Sequence, residues 1–257
     1  LRRDLQIATG RAVSAQTVRR RLHEVGLRSR AAPLRSRLTR NHMQARLAWA
    51  RDRVNWVVAD WTPVLWTDES RFCLDMTDRR RRVWRQRNQR FVFHNIAQHD
   101  RYGGGSLMIW AGISMQGKTD LHVFQNGTVT GVRYRDEVLH PIVRPWAGAI
   151  GPDFILMDDN ARPHRARVVD QYLETESIER MEWPSRSPDR NPIQHAWDML
   201  GRAVKARINQ PRTLRELAVA LQEEWARIPQ QKIRNLICSM RRRCQAVIQA
   251  GGGHTRY

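Results

Sequence analysis

Two short apolar runs that each end in acids constrain this chain more than any other feature. Val64-Leu65-Trp66 runs into Thr67-Asp68-Glu69-Ser70, and Phe154-Ile155-Leu156-Met157 runs into Asp158-Asp159-Asn160. Apolar runs this short, bounded by polar residues, read as buried strands, so each strand delivers carboxylates at its end. Leu107-Met108-Ile109-Trp110 is a third such run, and Val83-Trp84 and Leu121-His122-Val123-Phe124 supply two more candidate strands. Beyond Phe154 the pattern turns helical over roughly 163–174, 193–207, 213–226 and 231–249. An early β-meander followed by α/β alternation predicts an α/β domain with a mixed sheet flanked by helices.

Two aspartates at neighbouring strand ends repel each other unless something cationic lies between them, and hard oxygen donors suit Mg2+ or Mn2+. The competing reading makes the same acids water-exposed turn residues. Spacing alone does not separate the two.

Charge points to a polyanionic partner. The chain carries 45 Lys and Arg against 25 Asp and Glu, a formal net charge of +20, and an excess of that sign favours nucleic acid through counterion release. No apolar run approaches the ~20 residues that span a bilayer and no signal-peptide pattern opens the chain, so a soluble intracellular protein without a membrane partner is expected. Cys73, Cys238 and Cys244 are odd in number and lack zinc-type spacing, which supports neither a disulfide framework nor a structural zinc. The chain opens on Leu1 rather than methionine, which points to further residues upstream.

The excess charge is concentrated at the front, where residues 1–40 hold eleven arginines against Asp4 and Glu24, a local net charge of +9. Within it, Ser14 is a candidate N-cap, Val18, Leu22 and Val25 are spaced as a helix face, and Gly26 is a stop signal. Gln16, Thr17, Arg19, Arg20 and Arg21 fall on the open face of that helix, and Arg28 and Arg30 follow it. Preceded by the turn Leu5-Gln6-Ile7-Ala8-Thr9-Gly10, the segment reads as the second half of a helix-turn-helix, whose recognition helix enters the major groove. A solvated basic helix is the alternative. The expected organisation is therefore a partial helix-turn-helix over 1–30, a basic linker and an amphipathic helix over 31–59, and the α/β domain with its C-terminal helices over 60–257. The amphipathic helix, Asn41 to Trp56, is expected to bury Met43, Leu47, Ala50 and Val54.

Arg79 to Arg82, with Arg85, Arg87 and Arg90 around Trp84, form a second basic cluster. A hairpin there would lay cations and an aromatic face along DNA or be a charge-protected sheet edge. Tyr102-Gly103-Gly104-Gly105 lacks the Lys-Ser/Thr of a phosphate loop, so no nucleotide site is expected.

The third informative stretch is Ser187-Pro188-Asp189-Arg190-Asn191-Pro192-Ile193-Gln194-His195-Ala196-Trp197-Asp198, a proline-rich loop entering a helix with Asn191 as expected N-cap. This block, Trp66-Thr67-Asp68-Glu69-Ser70 and Met157-Asp158-Asp159-Asn160-Ala161-Arg162-Pro163-His164 stand in the order of the three signature blocks of Tc/mariner transposases and closely resemble them. The resemblance continues through Arg46-Leu47-Ala48-Trp49-Ala50 and Ser106 to Gly112, and so covers nearly the whole chain.

That resemblance implies an RNase H-like fold in which three acids hold two divalent ions, Mg2+ or Mn2+. It also implies cleavage of double-stranded DNA at terminal inverted repeats, with integration at a TA target. A homodimer acting in the nucleus is expected on the same ground. The family's first acid maps to Asp68 and its second to Asp159. Its third, a glutamate separated from the second by thirty-four residues, maps to Gln194. A glutamine carbonyl still offers an oxygen but no charge, so weakened metal binding and severely reduced catalysis are expected. Gln194 also has a structural reading, as the return partner of a capping box begun by Asn191. Glu69, Asp158, Asp189, His164 and His195 are expected to support the site rather than ligate metal. The functional alternative is a catalytically dead, transposase-derived DNA-binding protein. A basic RNA-binding protein would leave the ordered acidic blocks unexplained.

Overall fold

The computed structural model describes residues 10, 14–26, 37–74, 105–125 and 127–257. The second basic cluster, the Val83-Trp84 strand, Arg28, Arg30, the Leu5 to Thr9 turn, the Ala31–Pro33 linker and Tyr102 to Gly104 lie outside them. The chain divides into two units, Leu1–Arg37 and Leu38–Tyr257.

In the first unit, helix α1 spans Ala15–Glu24. The Ser14 side chain caps it by accepting from the Thr17 backbone N–H at 3.0 Å, as the sequence predicts. Gly26, at φ 77°, ends it in the left-handed region where glycine is favoured. Gln16, Arg19, Arg20 and Arg21 are exposed and Thr17 is half-buried.

The second unit opens with α2 (Arg40–Arg53) and α3 (Val58–Trp61). A five-stranded sheet follows, built from β1 (Val64–Cys73), β2 (Ser106–Ile113), β3 (His122–Phe124), β4 (Ile155–Met157) and β5 (Glu179–Arg180). Its order is β3-β2-β1-β4-β5. β1 runs antiparallel to β2, with Asp68 opposite Ala111, and parallel to β4, with Trp66 opposite Met157. β3 and β5 extend the sheet as antiparallel and parallel outer strands. The mixed sheet expected from the apolar runs is present. β1, however, is not finished at its acids: it runs on to Cys73 because β2 stays paired with it through Ser106, so Asp68 sits within the strand, just past its last partner in β4.

Between β3 and β4 the chain is helical from α4 (Gly131–Arg133) through Tyr134–Val143 to α5 (Arg144–Ile150). The sequence pattern predicts no helix here, and the stretch contains Pro141 and Pro145. The middle stretch is wound as wide π turns, with the Arg144 N–H reaching back to Leu139 O, which accommodates a proline that cannot donate. Then come α6 (Arg167–Thr175), α7 (Ile193–Ala206), α8 (Leu214–Arg227), α9 (Gln230–Cys238) and α10 (Met240–Gln249). The single helix expected over 231–249 is two, broken at Ser239.

The alternating faces of the strands separate two cores. Val64, Trp66, Ile109, Ala111 and Ile113 pack with α2, α7, α8, α9 and α10, whereas Leu65, Trp110 and Leu156 pack with Tyr134, Leu139, Val169 and Leu173 on the opposite face. Strand side chains point alternately to either face, so Asp68 falls on the α7 side and Thr67 and Glu69 on the other. On α2 the buried residues are Arg46, Trp49 and Ala50. The expected face of Met43, Leu47, Ala50 and Val54 is rotated, because a buried arginine stands at the centre of the contact. Among the described residues no helix is long and apolar enough to cross a membrane.

Candidate functional site

Asp68, Asp159, Asn191 and Gln194 line one cleft of about 370 Å3, beside the middle of β1 and the C-terminal end of β4. Three elements meet there: β1 carries Asp68, the turn after β4 carries Asp159, and the first turn of α7 carries Gln194. The three residues assigned from sequence are thus brought together although up to 126 positions separate them.

Gln194 uses its side chain differently from a capping residue. Its Nε2 donates to Asp68 Oδ2 at 2.5 Å, while Asn191 Oδ1 accepts from the Ile193 N–H at 3.3 Å. Asn191 Nδ2 in turn donates to Thr67 O at 2.9 Å, tying the start of α7 to β1 beside Asp68. No reciprocal capping box forms, and Pro192 rather than Asn191 immediately precedes the helix.

His164 is buried between two acids. Its Nε2 lies 3.0 Å from Glu69 Oε1 and its Nδ1 3.0 Å from Asp159 Oδ1, with the ring stacked against Tyr134 at 4.3 Å. Desolvation works against its charge, but the hydrogen bonds to Asp159 and Glu69 outweigh it, and the imidazole is pushed up to about 11. It is therefore an imidazolium donating from both nitrogens. Asp159 also accepts from the Ala161 N–H at 2.7 Å. Desolvation would raise its pKa, yet the His164 and Ala161 hydrogen bonds hold it below the ordinary carboxylate range.

Asp68 is in the opposite condition. Burial pushes its carboxyl well above the ordinary range, and the charges of Glu69 and Asp159 push it the same way. Asp158, fully buried, is pushed up to about 6 by desolvation, against the pull of His164, Arg180 and Arg165. It faces Arg165 and Arg180 at 3.4 and 3.5 Å and so braces the turn rather than entering the cleft.

These donors do not fit a pair of dications. Asp68 and Asp159 offer carboxyl oxygens, but burial disfavours the charged form of Asp68, the third position presents N–H to Asp68, and Glu69 and Asp159 are already engaged by His164. Among the described residues, no group of three or more His, Cys, Asp or Glu side chains is arranged to hold a metal ion. Two ions would therefore face one negative charge fewer than a three-acid site supplies.

Sequence reasoning missed the support behind the cleft. Arg46, Arg190 and Arg243 are buried around Asp189. Arg46 grips the Asp189 carboxylate at 2.6 and 2.7 Å, Arg190 lies over the Trp49 and Trp183 rings, and Arg243 donates to Asp189 O at 3.0 Å. His195 Nδ1 is 3.2 Å from Arg243, so it faces this cluster and not the cleft. The signals available were an arginine inside the apolar spacing of α2 and the place of Arg46, Asp189 and Arg190 in the blocks that carry the family resemblance.

Residues 63–217 match the family model described as DDE superfamily endonuclease, and residues 1–55 match one described as Transposase. The Tcb2 transposase of Caenorhabditis briggsae is 34% identical over 95% of this chain and 88% of its own length. The Tc1 transposase of Caenorhabditis elegans is 32% identical over the same shares. The chain belongs to the Tc/mariner transposases. Among solved structures, this transposase superposes on the Mos1 transposase paired-end complex with left transposon end at a TM-score of 0.80, with 19% identity over 98% of this chain and 75% of that one. The Mos1 paired-end complexes with Mn and with Mg each give 0.79 at the same identity and coverage. Those likenesses show the fold, which is the RNase H-like arrangement the sequence resemblance implies.

Proposed function

We propose that this transposase binds double-stranded DNA at terminal inverted repeats and that its strand-cleavage centre is disabled at Gln194, leaving DNA binding as the activity it retains. The observation that carries this reading is the hydrogen bond from the Gln194 amide to Asp68. A carboxylate at that position would repel Asp68 until cations arrived, whereas an amide satisfies it without them.

Asp68 and Asp159 are the metal ligands of the lineage in this proposal, with Mg2+ or Mn2+ as the ions. The solved Mos1 paired-end complexes with Mn and with Mg support that choice. The Gln16, Thr17, Arg19, Arg20 and Arg21 face of α1, with Arg28 and Arg30, is the DNA-reading surface. The exposure of Gln16, Arg19, Arg20 and Arg21 and the transposase model matched over residues 1–55 support it. Action as a homodimer in the nucleus, with a TA target for the lineage's strand transfer, completes the reading.

The test is cleavage of a terminal-repeat duplex in Mg2+ or Mn2+ by the native protein, by Gln194→Glu and by Gln194→Glu/Asp159→Asn. Cleavage restricted to Gln194→Glu supports a disabled three-acid centre. Equal cleavage with Gln194 in place overturns it, because the third ligand must then lie elsewhere.

A further inference from the structure

Both partners of the bidentate Arg46–Asp189 ion pair behind the cleft are tied to a part of the chain far from it. Arg46, fully buried on α2, spends all its donor directions on one junction. Nε donates to Gly252 O at 2.8 Å and Nη2 to Gly253 O at 2.9 Å. The forked end takes both oxygens of Asp189, and Nη1 also reaches Arg186 O at 3.0 Å and Ser187 Oγ at 3.2 Å. Asp189 receives a further bond from the Thr255 hydroxyl at 2.9 Å. The C-terminal tail is thus fastened to the same loop that leads to Asn191 and Gln194.

Two independent features show how closely this junction is fitted. Gly252 has φ 82°, and a Cβ on it would lie 2.0 Å from Met43 O on α2, so only glycine lets the tail come this near. Arg186, in the loop, holds φ 56°, a conformation a non-glycine residue keeps only where its surroundings impose it. The Arg46 bond to its carbonyl is part of what imposes it.

We propose that Arg46 and the tail residues Gly252, Gly253 and Thr255 act as a clamp that positions the 186–191 loop, and through it sets residue 194 against Asp68. The clamp lies outside residues 63–217, the stretch matched by the endonuclease model. These are positioning residues: none lines the cleft. A planar guanidinium is required because a lysine ammonium cannot hold a carboxylate at two points and two tail carbonyls at once.

The experiment follows the Gln194 side-chain amide by 1H–15N NMR on the full chain, its resonance assigned by its absence in Gln194→Glu. Gly252→Ala and Thr255→Val release the tail without touching the cleft, and Thr255→Val, which removes only a hydroxyl, is the variant that keeps the fold. Leu173→Ala, in the opposite core, is the control for general destabilisation. The expected result is displacement of the Gln194 amide signal toward that of a solvated glutamine in both tail variants, and its retention in Leu173→Ala. Amide exchange at Asn191 and Gln194 should rise about tenfold or more in the tail variants while β1 and β2 stay protected. A Gln194 signal unmoved by Thr255→Val, or moved equally by Leu173→Ala, overturns the proposal. Because the readout is the native amide, it is independent of whether cleavage ever occurs.

Discussion

The amide of Gln194 donates to Asp68 Oδ2 at 2.5 Å, across the space in which a three-acid centre would need two negative charges to face each other. Burial opposes the ionisation of Asp68, and this contact gives the buried carboxyl a hydrogen-bond donor.

Gln194→Glu should therefore destabilise the metal-free protein. It loses a hydrogen bond to a carboxylate, a contact worth about 1.5–3 kcal/mol, and adds like-charge repulsion. At about 2–4 °C per kcal/mol for a domain of this size, melting in EDTA should fall by roughly 3–12 °C. Millimolar Mg2+ should recover part of that loss and leave the native protein unmoved. Scanning calorimetry of both proteins with and without Mg2+ checks this, and a native protein stabilised by Mg2+ would contradict it.

The parts of this arrangement legible in the sequence are those where one residue type has one cheap solution. Short apolar runs must be buried strands, so β1, β2 and β4 were readable, and their acids led to Asp68 and Asp159. The extension of β1 beyond its acids was not readable, since Ser70 and Arg71 carry no strand pattern and owe their conformation to β2. β5 is only Glu179–Arg180, and a two-residue strand leaves no periodicity. The Gly131 to Ile150 helix was hidden by Pro141, whose local preference the wide turns override, and by Pro145, which falls in the first turn of α5 where a proline is tolerated. Arg46 was missed because an arginine in a helix reads as solvated until its carboxylate, 143 residues away, is in place.

His164 gives a pH prediction. Its pKa is raised from an ordinary value near 6.5 to about 11, so its pairing stabilises the fold fully below about pH 6.5. That contribution declines as pH rises from there and is lost through the folded pKa. The stability difference between the native protein and His164→Gln should shrink steadily from about pH 6 to about pH 10. Urea unfolding across that range measures it, and a difference that stays constant would mean that His164 is not charged.

On α1, Arg20 and Arg21 lie near Glu24 at 3.7 and 2.8 Å, and Arg19 donates to Gln16. Exposed pairs of this kind are worth about 0–1 kcal/mol and do not keep the arginines from phosphate. Each of Arg19→Ala, Arg20→Ala and Arg21→Ala that removes a phosphate contact should reduce the slope of log affinity against log salt by about 1. Glu24→Gln should tighten binding. Fluorescence anisotropy on a terminal-repeat duplex over a salt series tests both, and an unchanged slope in all three variants would remove α1 from the DNA surface.

The Arg46–Asp189 pair should behave as a buried pair in which each charge is tolerated only because of the other. Desolvation would raise the Asp189 pKa, but Arg46, with Thr255 adding to it, holds the carboxyl below its ordinary range. The stability it contributes is present above about pH 4 and is lost as pH falls through the lowered folded value. Removing one partner leaves a buried charge unmatched, so Arg46→Met or Asp189→Leu alone should each cost about 3–5 kcal/mol at neutral pH. The double variant should cost less than the sum of the two, by at least about 2 kcal/mol. Urea unfolding of the four proteins closes the cycle. Additive losses would mean that Asp189 is held by Arg243 and Thr255 without Arg46, in which case the bidentate contact is a consequence of the loop's position and not its cause.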